Sequence, residues 1–219
     1  MTRVGAGIFV IILVIQLVVF STSEPPLVII ELEWNVKSGD LLSYELYATG
    51  TRDELNQGLG FKWSHLNNTR ILVNITYLPI LSDLYTSEAF LENIVQVTKV
   101  SCSFENGTPL SDQDLFIETL VSKSLLPVIP WEYLDSMFPD QWIGEFQMYE
   151  PDYTWVSRFD DDLIVFGRLG NSWHFTKGWS ALINMTAGIP FKIENHDNYH
   201  DYGFTTDILE LTLVEYIPN

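Results

Sequence analysis

One cysteine, Cys102, is all the chain has, so no intramolecular disulfide can form. Small exported folds lean on disulfides when their cores are thin, and this one must rely on its core instead. Cations are scarce too: 11 Lys and Arg stand against 29 Asp and Glu, a formal net charge of -18. Such a surface repels nucleic acid and anionic lipid headgroups over a Debye length of about 8 Å. It favours neutral or cationic partners, tolerates divalent cations, and keeps the protein soluble. After Phe20 no long apolar run recurs, and the closing ILELTLVEYIPN is interrupted by Glu210 and Glu215. Several catalytic signatures are missing as well. There is no H-E-x-x-H, no phosphate loop and no dinucleotide fingerprint, and Gly178-Trp179-Ser180 continues into Ala and Leu rather than completing G-x-S-x-G.

What is present begins with MTRVGAGIFVIILVIQLVVFSTSEPP: one cation at Arg3, an apolar run, then small polar residues. This is the layout of a signal peptide over residues 1–23, with Ser21 and Ser23 before the cut. Uncleaved, residues 4–20 would serve as a short N-terminal membrane anchor. In both cases Arg3 stays in the cytoplasm and residues 24–219, one extracellular domain, are delivered outside.

Strand signals dominate that domain. In residues 41–48, Leu42, Tyr44, Leu46 and Ala48 share one face; in residues 70–77 the inward set is Ile71, Val73, Ile75 and Tyr77. Period-two patterns rich in β-branched and aromatic residues recur in TWVSRF, LIVFGRL, SWHFTKGW, ALINM, PFKIE and ILELTLVEY. Turn signals separate them at residues 37–40, Asn106-Gly107, residues 160–162, Gly170-Asn171 and residues 186–188, with Gly188 in a left-handed position and Pro190 starting a strand. From about residue 143 onward the chain reads as a meander of antiparallel hairpins. Helix signals sit in the middle. Ser111 and Asp114 open a stripe of Leu115, Ile117, Leu120, Val121 and Leu125, residues 131–138 follow Pro130, and residues 84–94 are a weaker candidate. The expected fold is mainly β (α+β): a curved antiparallel sheet or half-barrel with two or three short helices on one face.

Four Asn-x-Thr sequons, at Asn67, Asn74, Asn106 and Asn184, suit an exposed glycoprotein. Asn74 and Asn184 fall on polar strand faces and Asn106 in a turn. The stretch ENHDNYHDYG offers two candidate metal ligands, His196 and His200. A strand-like arm would put both on one face and Asp197 and Asp201 on the other, but a zinc site needs three or four ligands. The stretch is therefore expected to be the solvated loop of the last hairpin. Asp112, Asp114 and Glu118, and the run Asp160 to Asp162, lack EF-hand spacing and read as a helix start and a turn, compatible with at most weak divalent-cation binding. No cofactor is implied. Cys102 shares a strand face with Val100 and Phe104 and is expected to be a buried, inert thiol. Aromatics cluster around Trp131, Trp142, Tyr149, Tyr153 and Trp155, where they would line a site for an apolar ligand or fill the core; Trp173, Phe175 and Trp179 share a face as core residues should.

The segments EWNVKSGDLLSYELYATG, NNTRILVNITYLP, FENGTPLS, LPVIPWEYLDSMFPD and TAGIPFKIE resemble, in that order, a family of uncharacterised archaeal cell-surface proteins that open with W-x-V-x-x-G-D. The resemblance spans most of residues 30–217 and implies a surface location; its motifs mark strands and turns, so it carries no activity or catalytic residue. The meander also looks like the half-barrel of lipoprotein carriers, an analogy of architecture alone. The expected function is a non-enzymatic secreted or membrane-anchored domain that binds a hydrophobic ligand such as a lipid, or a partner. The alternatives are a glycan-binding or adhesion module and a metal-dependent hydrolase centred on His196 and His200.

Overall fold

The computed structural model describes residues 32–54, 56–81, 97–132, 134, 152–171, 175–199 and 204–219, with the backbone alone for 152–155 and 171. Residues 32–219 form one compact unit. Among the described residues, eight strands, β1 (Leu41–Arg52), β2 (Thr69–Tyr77), β3 (Lys99–Phe104), β4 (Asp152–Asp160), β5 (Leu163–Asn171), β6 (Phe175–Asn184), β7 (Pro190–Tyr199) and β8 (Thr205–Ile217), make a mainly β fold with a nine-residue helix, α1 (Phe116–Ser124). They lie in one open, curved antiparallel sheet in the order β3-β2-β1-β8-β7-β6-β5-β4. Two meanders, β1 to β3 and β4 to β8, therefore meet at the β1–β8 pair, which stays in register from Leu41 opposite Ile217 to Arg52 opposite Thr205 around a bulge at Ser43 and Tyr44.

Alternation decides which face is buried. Leu42, Tyr44, Leu46 and Ala48 of β1 are buried, and the register carries their face through Leu209 and Leu211 of β8, Ile193 of β7, Trp179, Ala181 and Ile183 of β6, and Ile164 and Phe166 of β5. Against this inner face packs α1, through Ile117, Leu120 and Val121, and the segment after it, through Leu125, Leu126 and Ile129. Tyr44 is fully buried because its hydroxyl donates to Pro190 O at 2.9 Å, which removes the penalty for taking a phenol out of water. Gly188, at φ +70, sits so close to Leu126 that an added Cβ would lie 1.9 Å from the Leu126 carbonyl oxygen. That contact, with Leu126 N donating to Gly188 O at 3.1 Å, locks the β6–β7 turn onto the segment after α1.

The W-x-V-x-x-G-D segment is a structural clamp. Trp34 Nε1 donates to Pro79 O at 3.0 Å, Val36 is buried, and Gly39 (φ +96) lets the turn close. Asp40 is fully buried and accepts from Lys37 N at 2.9 Å, Tyr216 Oη at 2.7 Å and Asn219 N at 2.9 Å. Burial pushes its carboxyl up, but these donors outweigh burial and the net direction is down.

Several expectations are corrected. Tyr77 is not inward: a register shift after Ile75 turns it out to 46 % exposure. Leu115 is exposed and precedes α1, which starts at Phe116 after a short 3-10 turn, Asp112–Asp114. The Ser111 hydroxyl binds Asp114 Oδ2 rather than capping a backbone N–H. SWHFTKGW and ALINM contribute to one continuous strand, β6, and Phe175 is half-exposed at its start instead of in the core. The ENHDNYHDYG stretch is not a loop as far as Tyr199, because β7 runs through it. Of the 131–138 helix, residues 131, 132 and 134 are helical and the rest lie outside the described residues, as does the candidate at 84–94.

Candidate functional site

The inner face has two parts. Toward the β6–β7 turn it is apolar, and a cavity of about 10 Å³, no more than one water would fill, is lined by Leu126, Ile129, Leu134, Ile164, Ile183 and their neighbours. Toward the opposite strand ends the same face turns polar. Register places Arg168, Trp179 and Asn195 side by side across β5, β6 and β7, and in the next row Lys177, Asp197 and Asp207 across β6, β7 and β8. Beyond them come Phe175, Tyr199, Thr205 and Arg52.

Asp197 and Asp207 are direct cross-strand partners, and both are buried. Like charges in that relation repel unless compensated. Compensation comes from β1 and the loop after it. Arg52 Nη2 lies 2.5 Å from Asp207 Oδ1 and 2.9 Å from Gly60 O, while Nη1 donates to Thr206 O at 2.8 Å. The backbone N–H of Lys62 donates to the same Asp207 oxygen at 2.9 Å, and Lys62 Nζ lies 2.5 Å from Asp197 Oδ2. Aromatic rings flank the cations: Phe61 under Arg52 at 5.0 Å, Trp63 near Lys62 at 4.9 Å, Phe175 and Tyr199 near Lys177 at 5.0 and 5.2 Å. A hydrogen bond with Tyr199, and then the Asp197 charge, raise the Lys177 amine despite burial. The carboxylate pair is thus a cation-binding geometry that the protein fills with its own side chains.

The row above is different in kind. The Trp179 ring is buried, edge-on to Phe166 at 5.3 Å, and its Nε1 has no hydrogen-bond partner. Lys123, in the last turn of α1, reaches toward this row; burial and then the Arg168 charge push its amine down.

The sequence candidates scatter. His196 stands on the outer face, half-buried, where an added Cβ on Gly178 would lie 3.2 Å from its Nε2. Burial depresses its pKa more than Glu194 and Asp197 raise it. His200 lies outside the described residues, and among those described no three His, Cys, Asp or Glu side chains converge on a metal position. The alternate residues of this arm, Asn195, Asp197 and Tyr199, are the ones that face inward; the alternation contained this, read one residue along. His65 instead binds Asp114 Oδ1 at 2.8 Å, and Glu118 Oε1 accepts from Cys102 N at 2.8 Å, so that acidic group is divided among separate partners. Cys102 is buried and its thiol pushed far up by burial and by Glu118.

Trp131 is partly buried at the apolar end, with Arg158 5.9 Å from its ring. Trp142 and Tyr149 lie outside the described residues, as do the side chains of Tyr153 and Trp155. Of the sequons, Asn106 is exposed in its turn; Asn184 Oδ1 accepts from Thr186 N and Ala187 N, both at 2.9 Å, and Asn67 Oδ1 from Ala48 N at 2.9 Å; Asn74 Oδ1 is buried without a partner. No helix among the described residues is long and apolar enough to cross a membrane, and residues 4–20 lie outside them. No protein family, curated protein or solved structure matches the chain.

Proposed function

We propose that the chain is a non-enzymatic cell-surface domain, secreted or held by residues 4–20, that receives a ligand or partner on the polar part of its inner face. One observation carries this. In a chain of net charge -18, five of the ten basic residues beyond Arg3, namely Arg52, Lys62, Lys123, Arg168 and Lys177, gather around this one area. On those strands the inner face carries two carboxylates, Asp197 and Asp207, and both are engaged by Lys62 and Arg52. The area therefore offers fixed charge and aromatic edges for recognition, with both of its acids already held by the protein's own cations. The apolar-ligand form of the reading needs more room than the cavity near Leu134 provides. The outside location is supported by the leader-like residues 1–23 and the four sequons.

Native mass spectrometry of the chain as purified from a secreting host tests the reading, comparing intact with denatured mass. A retained molecule, released by Lys177→Gln in a chain that still melts cooperatively, supports it. A retained molecule indifferent to Lys177→Gln, or none at all, counts against it.

A further inference from the structure

Buried polar groups are nearly always paired, and an indole N–H can only donate. Trp179 breaks that rule: at 9 % exposure its Nε1–H has no acceptor among the described residues. Its register neighbours on the inner face are Arg168 and Asn195, and α1 packs across β6 and β7 with Lys123 in its last turn. Lys123 has no hydrogen bond or ion pair among the described residues. Other cations do: Lys62 with Asp197, Arg52 with Asp207, Arg158 with Asp161 and Lys192 with Glu210. Among the described residues a carboxylate stands beside each of those cations and none beside Lys123. Burial and the Arg168 charge weaken the hold of Lys123 on its proton, the reverse of what a paired lysine feels. An unused ammonium and an unused N–H at the edge of a partly dry surface both ask for the same thing, an acceptor carrying negative charge.

We propose that the area between the last turn of α1 and the β5–β6–β7 floor binds an oxyanion, the phosphate or carboxylate group of a ligand, with the Trp179 indole N–H and the Lys123 ammonium as its direct donors. Arg168 and Asn195 flank that position. The inference rests on the binding reading above and names the chemistry of its ligand.

The test follows the indole N–H itself. In the full chain, kept in a neutral detergent and labelled with 15N, the resonance that vanishes in Trp179→Phe belongs to Trp179, and the six other indoles report on folding. Inorganic phosphate and acetate are titrated separately against chloride at constant ionic strength. The Trp179 resonance shifts saturably with at least one of them, and the stronger one identifies the ligand group as phosphate or carboxylate. Lys123→Met weakens that binding about tenfold, the loss expected for one charge-assisted hydrogen bond. Lys99→Met, on β3, leaves it unchanged. Where Lys123→Met disturbs the other indoles, Lys123→Gln replaces it. A Trp179 resonance that ignores both anions, or responds equally in the Lys123 variants, overturns the proposal. If the mass experiment meanwhile finds a retained molecule with no anionic group, the oxyanion inference falls and the binding reading stands.

Discussion

Asp40 shows how much a single carboxylate can hold. Its two oxygens take donors from its own turn, from β8 and from residue 219, and all are local to a site without solvent. Asp40→Asn keeps the shape but replaces charge-assisted bonds with weaker ones and presents a donor to donors, so we expect a loss of about 2–3 kcal/mol by urea titration at neutral pH. Because the native carboxyl is depressed, its contribution is complete above the unfolded value near pH 4 and fades as pH falls through the lower native one. The wild type should therefore lose stability below pH 4 more steeply than Asp40→Asn does. Tyr216, pushed up to about 12 by burial and by Asp40, adds the mirror effect, stability kept at neutral pH and lost as the phenol ionises. Cys102 gives a simpler check: a disulfide reagent at pH 8 should label it only in unfolded chain, and prompt labelling under native conditions would contradict its burial.

Elements were legible to the degree that they alternate. Leu42, Tyr44, Leu46 and Ala48, the turn at Gly188 and the strand start at Pro190 all follow from period and turn chemistry. Tyr77 did not, since a register shift has no signature in one strand alone. The site was hidden for a related reason. The histidines of ENHDNYHDYG draw the eye, yet the strand turns His196 outward, and Asp197 acquires meaning only beside Asp207 on the next strand and Arg52 and Lys62, which are far off in sequence. At this scale the packing of a turn can be tested: Gly188→Ala adds a methyl to a left-handed residue and drives it into Leu126 O, and we expect a loss of about 2–4 kcal/mol by thermal melting. The Arg52–Asp207 pair offers a second test, both side chains being 9 % exposed. Removing one partner, as in Asp207→Leu, leaves a buried guanidinium and should cost about 3–5 kcal/mol, whereas Arg52→Met with Asp207→Leu should recover most of it. Equal losses in both variants would mean the pair itself, not the stranded charge, matters.

At the scale of the whole molecule, charge and topology act together. A net charge of -18 repels itself, and moderate salt, by screening, should raise the thermal midpoint even though it weakens exposed pairs such as Arg70 with Glu105, 3.9 Å apart. A midpoint that falls with added salt would show the surface pairs to outweigh the general repulsion. The seam between the two meanders has a consequence in time. Of these eight strands β1 leaves the ribosome first and β8 last, yet they are neighbours in the middle of the sheet. Until β8 arrives, β1 to β3 present a bare central edge, and the four strands β4 to β7 have nothing to join. The sheet therefore cannot be completed piecemeal as it is made; it stays open until β8 emerges and then closes by a long-range pairing of the slow kind. The seam thus ties the closure of the whole sheet to the making of its eighth strand.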